Sequence, residues 1–290
     1  MQTSTRESHS FITTGDGIRI AYRFDGGEPG RPVLLLSNSI GTSLHMWDGQ
    51  VAQLARHFRV LRYDARGHGA SDAPSGGYSL DRLGRDVVEL LDALELPRVH
   101  MLGLSLGGFV AQWLGIHAPE RIDRLVLSNT AARLGPPAVF DKLIAEVMKA
   151  PDMQATAETF LRNWFPARML ENGNAEVDAL RQGLLATDRN GIAGSWAAVR
   201  DADLRRTIAL IERPTLVIAG EHDTVTSAQH GIDIAAAIPG AQLQMLPAVH
   251  LPNIEQPERY VALVLDFLRR QPAEPAAVAL ATNPRVLPTS

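Results

Sequence analysis

The chain contains no cysteine. Disulfides, thiol nucleophiles and thiolate metal ligands are therefore all excluded. Lysine is nearly missing as well: Lys142 and Lys149 are the only two, and arginine carries the remaining positive charge. Positive charge is not in excess, since 28 Lys and Arg against 32 Asp and Glu give a formal net charge of −4. That balance argues against nucleic acid or an anionic membrane surface as a partner. No apolar run approaches the roughly 20 residues a membrane-spanning helix requires. Residues 1–11 are polar and contain no apolar signal core, so a cytoplasmic location is expected. What is present is ordinary globular material: 290 residues, 45% hydrophobic and 21% charged. That is enough chain for one large domain or two small ones, with a sizeable core.

Hydrophobic patterning gives an order of elements. Residues 10–13 and 18–24 read as strands flanking Gly15-Asp16-Gly17, a hairpin signal. Residues 33–36 form a short, wholly apolar run suited to a strand buried on both faces, and 58–63 is another strand. Ser79 is placed to cap a helix in which Leu80, Leu83, Val87, Leu90, Leu91 and Leu94 recur at helical spacing. A strand at 99–102, a helix through 109–116 and a strand at 125–127 follow. This β–α–β–α–β alternation predicts a mostly parallel sheet with helices on both faces. The alternation stops near Leu134, and Gly135-Pro136-Pro137 is a strong breaker. From 138 to about 207 only helical periods occur, at 140–148, 155–163 and 177–185. Strands resume at 215–219 and 242–246, and a last helix covers 257–269. The expected organisation is a core over 1–133, a helical cap over 134–210, a second core segment over 211–270 and a flexible tail rich in Pro and Ala over 271–290.

Three residues carry the candidate chemistry. Gly103-Leu104-Ser105-Leu106-Gly107 matches G-x-S-x-G. Alone, such a match turns up by chance roughly once in ten chains of this length. Here it follows a predicted strand and precedes a predicted helix, which is the strand–turn–helix elbow that lifts a serine above a sheet. A serine hydroxyl needs a base, and the base needs an orienting acid. His250 lies just past the last predicted strand, and Asp223 just past the one before. Both would project from the carboxyl edge of the sheet, where ligand crevices form in open α/β sheets. Glu221 and Asp201 are rival acids; His222 precedes Asp223 and reads as structural. The spacing of His and acidic residues shows no metal motif such as H-E-x-x-H, and no cofactor is expected.

With these residues in the order Ser…Asp…His, the chain resembles the α/β-hydrolase superfamily over roughly 11–270, and within it the 3-oxoadipate enol-lactonases. The resemblance is carried by Ser37-Asn38-Ser39-Ile40-Gly41-Thr42, by Asp64-Ala65-Arg66-Gly67-His68-Gly69, by Ser128-Asn129-Thr130-Ala131-Ala132-Arg133 and by His250-Leu251-Pro252-Asn253-Ile254-Glu255-Gln256-Pro257. The Arg-Gly-His-Gly stretch is superfamily-wide, whereas the Asn38-Ser39, Asn129–Arg133 and Asn253–Pro257 stretches are the more lactonase-like. Most relatives read His-Gly where this chain reads Asn38-Ser39. The resemblance implies an α/β-hydrolase fold and an oxyanion hole built from the backbone N–H groups of Ile40 and Leu106.

It also implies hydrolysis of 3-oxoadipate enol-lactone in aromatic-compound catabolism, the β-ketoadipate pathway. Ser105 would be the nucleophile, His250 the base and Asp223 its orienter; a water-only route with His250 as general base stays open. The substrate's acetate arm calls for a cation or several N–H donors, and Arg133 is the first candidate. Trp164 and Trp196, in the cap, could wall the pocket, while Trp113 reads as core. Arg66 is expected to bond Asp72 or backbone. The partner expected is a small lactone or ester, and the sequence leaves a homo-oligomer open. General carboxylesterases and carbon–carbon hydrolases of ring-cleavage products keep the same three residues and remain alternatives. Epoxide hydrolases and haloalkane dehalogenases use Asp at the position of Ser105, and epoxide hydrolases need cap tyrosines where this chain has none between 134 and 210. A non-catalytic small-ligand receptor on the same fold is the reading from another class.

Overall fold

The computed structural model of the chain describes residues 9–28, 30–171 and 173–270. The tail expected at 271–290 lies outside the described residues. The elements run β1 (Ser10–Thr13), β2 (Arg19–Asp25), β3 (Val33–Ser37), α1 (Asp48–Leu54), β4 (Arg59–Tyr63), α2 (Leu80–Ala93), β5 (Val99–Leu104), α3 (Leu106–His117) and β6 (Ile122–Ser128). Next come α4 (Pro137–Lys149), α5 (Gln154–Trp164), α6 (Ala167–Glu171), α7 (Ala175–Ala186) and α8 (Arg189–Asp201). The chain then returns to the sheet with β7 (Thr215–Gly220), α9 (Ala228–Ala237), β8 (Gln242–Leu246), α10 (Pro252–Glu255) and α11 (Pro257–Arg269).

The strands form one sheet in the order β1-β2-β4-β3-β5-β6-β7-β8. The first two pairings are antiparallel, and all those from β4 to β8 are parallel. β3, β5 and β7 are buried along their whole length, which is why they read as unbroken apolar runs. Successive side chains of β3 enter different cores: Val33 and Leu35 join one apolar cluster, Leu34 and Leu36 another. The first cluster takes Leu83 and Val87 of α2 and Phe109 of α3, and the second takes Leu54 of α1 and Val264 of α11. Helices thus cover both faces. The Ser79 side chain caps α2 by accepting from the Arg82 amide at 3.1 Å.

Between β6 and β7 the described chain is helical, α4 to α8, with α4 packed on α8 and α5 on α7. The sequence periods there correspond to α4, α5 and α7, while α8 and α9 were not individually legible. α8 buries every residue from Gly191 to Val199, and many of these are Gly, Ala or Ser, so no amphipathic stripe marks it. Its N-terminal turn sits on the loop after β4. A Cβ built on Gly191 would lie 1.8 Å from the Gly67 carbonyl oxygen. Among the described residues no helix is long and apolar enough to cross a membrane.

Candidate active site

Ser105 stands at the junction of β5 and α3 with φ of 58° and ψ of −115°. Few non-glycine residues adopt a positive φ, and it is held here by its neighbours. Its amide donates to the Ser128 carbonyl at 3.0 Å, and its own carbonyl accepts from Thr130 Oγ1 at 2.8 Å. Both motif glycines are sterically required. A Cβ on Gly103 would come within 2.1 Å of the Gly107 carbonyl oxygen, and one on Gly107 within 2.2 Å of the Ser37 carbonyl oxygen. α3 is apolar all round because it is buried from Leu106 to Gly115.

His250 and Asp223 reach the same place from the loops after β8 and β7. His250 Nδ1 lies 2.8 Å from Asp223 Oδ2. A carboxylate at that position accepts, so the ring proton sits on Nδ1 and Nε2 is left with its lone pair. Asp223 also accepts from the amides of Val225 at 2.8 Å and Thr226 at 3.0 Å, from Thr226 Oγ1 at 2.8 Å and from Asn129 Nδ2 at 2.9 Å. Burial alone would push the Asp223 carboxyl up. The charge that His250 carries when its ring is protonated, with the hydrogen bonds from His250, Asn129 and Thr226, outweighs that and holds it at about 2. The rival acids are engaged elsewhere or exposed: Asp201 pairs with Arg200, and Glu221 faces solvent.

Ser105 and His250 both line a cavity of about 470 Å³ between the sheet edge and the helices of the 134–210 segment. Ile40 and Leu106 line it too. Among the described residues no hydrogen bond from the amides of these two to another group of the chain is found, which leaves two N–H donors on residues that line the same cavity as Ser105. No direct hydrogen bond joins Ser105 to His250, a looseness common in unliganded sites. Asn38 is a brace for this loop. Its Nδ2 donates to the Tyr63 carbonyl at 2.7 Å and its Oδ1 accepts from Trp47 Nε1 at 2.8 Å.

Trp164 and Trp196 line the cavity as expected, with Phe160 between them: Phe160 stacks on Trp196 at 5.7 Å and tilts against Trp164 at 5.0 Å. Trp113 is in the core. Arg133, expected to hold a substrate carboxylate, is not among the lining residues. It is paired in a β-bridge with Asp203, and its Nε lies 3.6 Å from the Asp203 carboxylate. Asp203 is held more closely by Arg205, at 2.6 Å, so Arg133 is the second and longer of its two cationic contacts. Arg66 corrects a second expectation: it bonds Asp86 and Asp16, while Asp72 is taken by Arg19.

Sequence reasoning missed three supports. Asn129, at φ 41°, bridges Asp223 and the Val249 carbonyl, the latter at 3.0 Å. Thr226 caps the Asp223 carboxylate. Glu255 accepts from the Val249 amide at 2.7 Å and pairs with Arg168. Asn129 and Glu255 stand in the lactonase-like stretches, so their presence was visible but not their role.

Residues 32–257 match the family model for the alpha/beta hydrolase fold, and the chain belongs to that family. It is 37% identical, over 84% of its length and 91% of the relative, to 3-oxoadipate enol-lactonase 2 of Acinetobacter baylyi. The crystal structure of the enol-lactonase from Burkholderia xenovorans LB400 superposes with a TM-score of 0.87 at 39% identity, covering 90% of this chain and all of that one. A hydrolase from Pseudomonas aeruginosa PA01 superposes with a TM-score of 0.90 at 60% identity, covering 91% of this chain and all of that one.

Proposed function

We propose that the chain hydrolyses carboxylic esters, lactones among them, through nucleophilic attack by Ser105. One observation supports this above the others: a strained serine, a histidine oriented by a buried carboxylate and two free amides all border one cavity. In this reading Ser105 Oγ adds to the substrate carbonyl as His250 Nε2 takes its proton. The amides of Ile40 and Leu106 stabilise the oxyanion. Collapse breaks the acyl–oxygen bond, and His250 returns the proton to the departing oxygen. For a lactone, that oxygen stays tethered to the acyl group on Ser105. Water, deprotonated by the same imidazole, then adds to the acyl-enzyme, and the acid leaves with Ser105 restored. Asp223 keeps the imidazole in the working tautomer and stabilises its cation.

The names of the relatives put 3-oxoadipate enol-lactone first among the lactones to assay, which would place the reaction in the ring-opening catabolism of aromatic compounds. An enol is a good leaving group, so the chemical step is easy. The test follows loss of lactone absorbance with purified protein, beside a simple aryl ester, for the wild type and Ser105→Ala. Hydrolysis of either that falls by at least about 10⁴-fold in the variant supports the reading. Activity unchanged by the substitution sinks the serine route.

A further inference from the structure

We propose that the ion pair between Arg168 and Glu255 positions His250, by tying the loop of the base to the corner where α5 meets α6. This rests on the ester-hydrolase reading above and concerns how the imidazole of that same site is held in register. Asp223 fixes one ring nitrogen, but a ring held at one atom still follows its backbone. That backbone is gripped from two sides. Val249 has both peptide groups engaged: its carbonyl accepts from Asn129 Nδ2 at 3.0 Å, and its amide donates to Glu255 Oε2 at 2.7 Å. The next amide, that of His250 itself, donates to the Trp164 carbonyl at 3.3 Å. Trp164 ends α5 and lines the cavity. The base is therefore bonded, through its own backbone, to the helical segment between β6 and β7.

Glu255 is a fixed post on the opposite side. It ends α10, whose Asn253 donates through Nδ2 to the Met46 carbonyl at 3.0 Å and accepts at its own carbonyl from Gln50 Nε2 at 2.7 Å. The Glu255 side chain is 2% exposed, and its Oε1 accepts from Arg168 Nη2 at 2.6 Å. Arg168 stands on α6, four residues past Trp164, with its side chain 61% exposed. This charge-assisted bond closes a ring of contacts that runs from the Trp164 carbonyl through His250, Val249 and Glu255 to Arg168, and back along the chain to Trp164. A carboxylate this buried that loses its guanidinium is drawn toward water, and the Val249 amide is drawn with it. Neither Arg168 nor Glu255 lines the cavity, so the pair acts through the imidazole and not on the substrate. The leverage is large, because misplacing a reacting group by about 1 Å can cost about 10²-fold in rate.

The test compares wild type, Arg168→Ala, Arg168→Lys, Glu255→Gln and the Arg168→Ala/Glu255→Gln double variant on 4-nitrophenyl butyrate, with Ser105→Ala as the blank and a melting temperature for each. Glu255→Gln retains an oxygen for the Val249 amide and so removes the charge alone. Arg168→Ala trims an exposed side chain, which keeps the question open to measurement should Glu255→Gln not fold. Each single variant is expected to lower kcat about tenfold with KM within about twofold, and the double variant no further than either single. Arg168→Lys, which restores a cation, should recover most of the loss. The rate at which an alkyl fluorophosphonate modifies Ser105 should fall in parallel with kcat. Unchanged kcat, a loss confined to KM, losses that multiply in the double variant, or a lowered melting temperature with full kcat would each overturn the inference and leave ester hydrolysis standing. Cleavage by the wild type no faster than by Ser105→Ala, on this ester and on the lactone, would overturn the hydrolase reading and the inference with it.

Discussion

At the scale of single residues, the site is organised around the Asp223 carboxylate rather than around the serine. Five donors converge on it, and one of them is the imidazole. Asn129 is the donor that also touches the His250 loop, through the Val249 carbonyl. It therefore acts as a positioning residue that fixes the acid and the loop of the base together. Asn129→Gly keeps the positive φ accessible and removes only the amide. It should lower kcat by about 10- to 100-fold, the cost of leaving a buried acceptor short of one bond, with KM little altered. Asn129→Ala should add a loss of about 1 kcal/mol in unfolding free energy, because alanine resists φ near 41°. Steady-state kinetics and urea titration of the two variants check this, and equal stability of the pair would show that the backbone is not strained there.

At the scale of elements, the legible parts were those with a strong local signal. β3, β5 and β7 announced themselves as short apolar runs because both faces are covered, and α2 did so through its stripe and its Ser79 cap. The elbow was legible because Gly103 and Gly107 are dictated by contacts within a few residues and one neighbouring strand. α8 was not, since burial on all sides erases helical periodicity and its small residues answer to a distant partner. The destination of Arg133 was equally hidden: whether it met a ligand or Asp203 depended on how the chain leaving β6 and the chain entering β7 came together. The contact between Gly191 and Gly67 is the clearest case of such a long-range demand. Gly191→Ala places a methyl group against the Gly67 carbonyl and must lift the start of α8 off the loop. About 1–3 kcal/mol of stability should be lost, together with a rise in KM as Trp196 and the cavity wall shift. Thermal unfolding and kinetics on one preparation measure both, and an unshifted melting temperature would show that the two loops part without cost.

At the scale of the whole molecule, the position of Asp223 ties stability to pH. Its carboxyl is held at about 2 in the fold against an ordinary 3.8. A carboxyl depressed in the fold contributes stability that is fully present above the unfolded value and is lost as the pH falls through the folded one. The contribution, about 2 kcal/mol, should therefore be complete above pH of about 4 and fade toward about 2. Asp223→Asn should be less stable than the wild type at pH 6, with the gap closing across that acid window. A gap independent of pH would mean that lost hydrogen bonds, not charge, account for it. The same variant should lose about 10⁴-fold in kcat, since an amide cannot hold the imidazole in the working tautomer.

The most direct measurement is covalent capture of the nucleophile. Purified protein is treated with an alkyl fluorophosphonate, residual ester hydrolysis is followed, and the adduct is mapped by peptide mass spectrometry. One phosphonyl group on Ser105, accumulating in step with loss of activity and absent from His250→Ala, is the predicted result. Full activity in the presence of a modified Ser105, or inactivation with the label on another residue, would contradict the assignment of Ser105 as the attacking group.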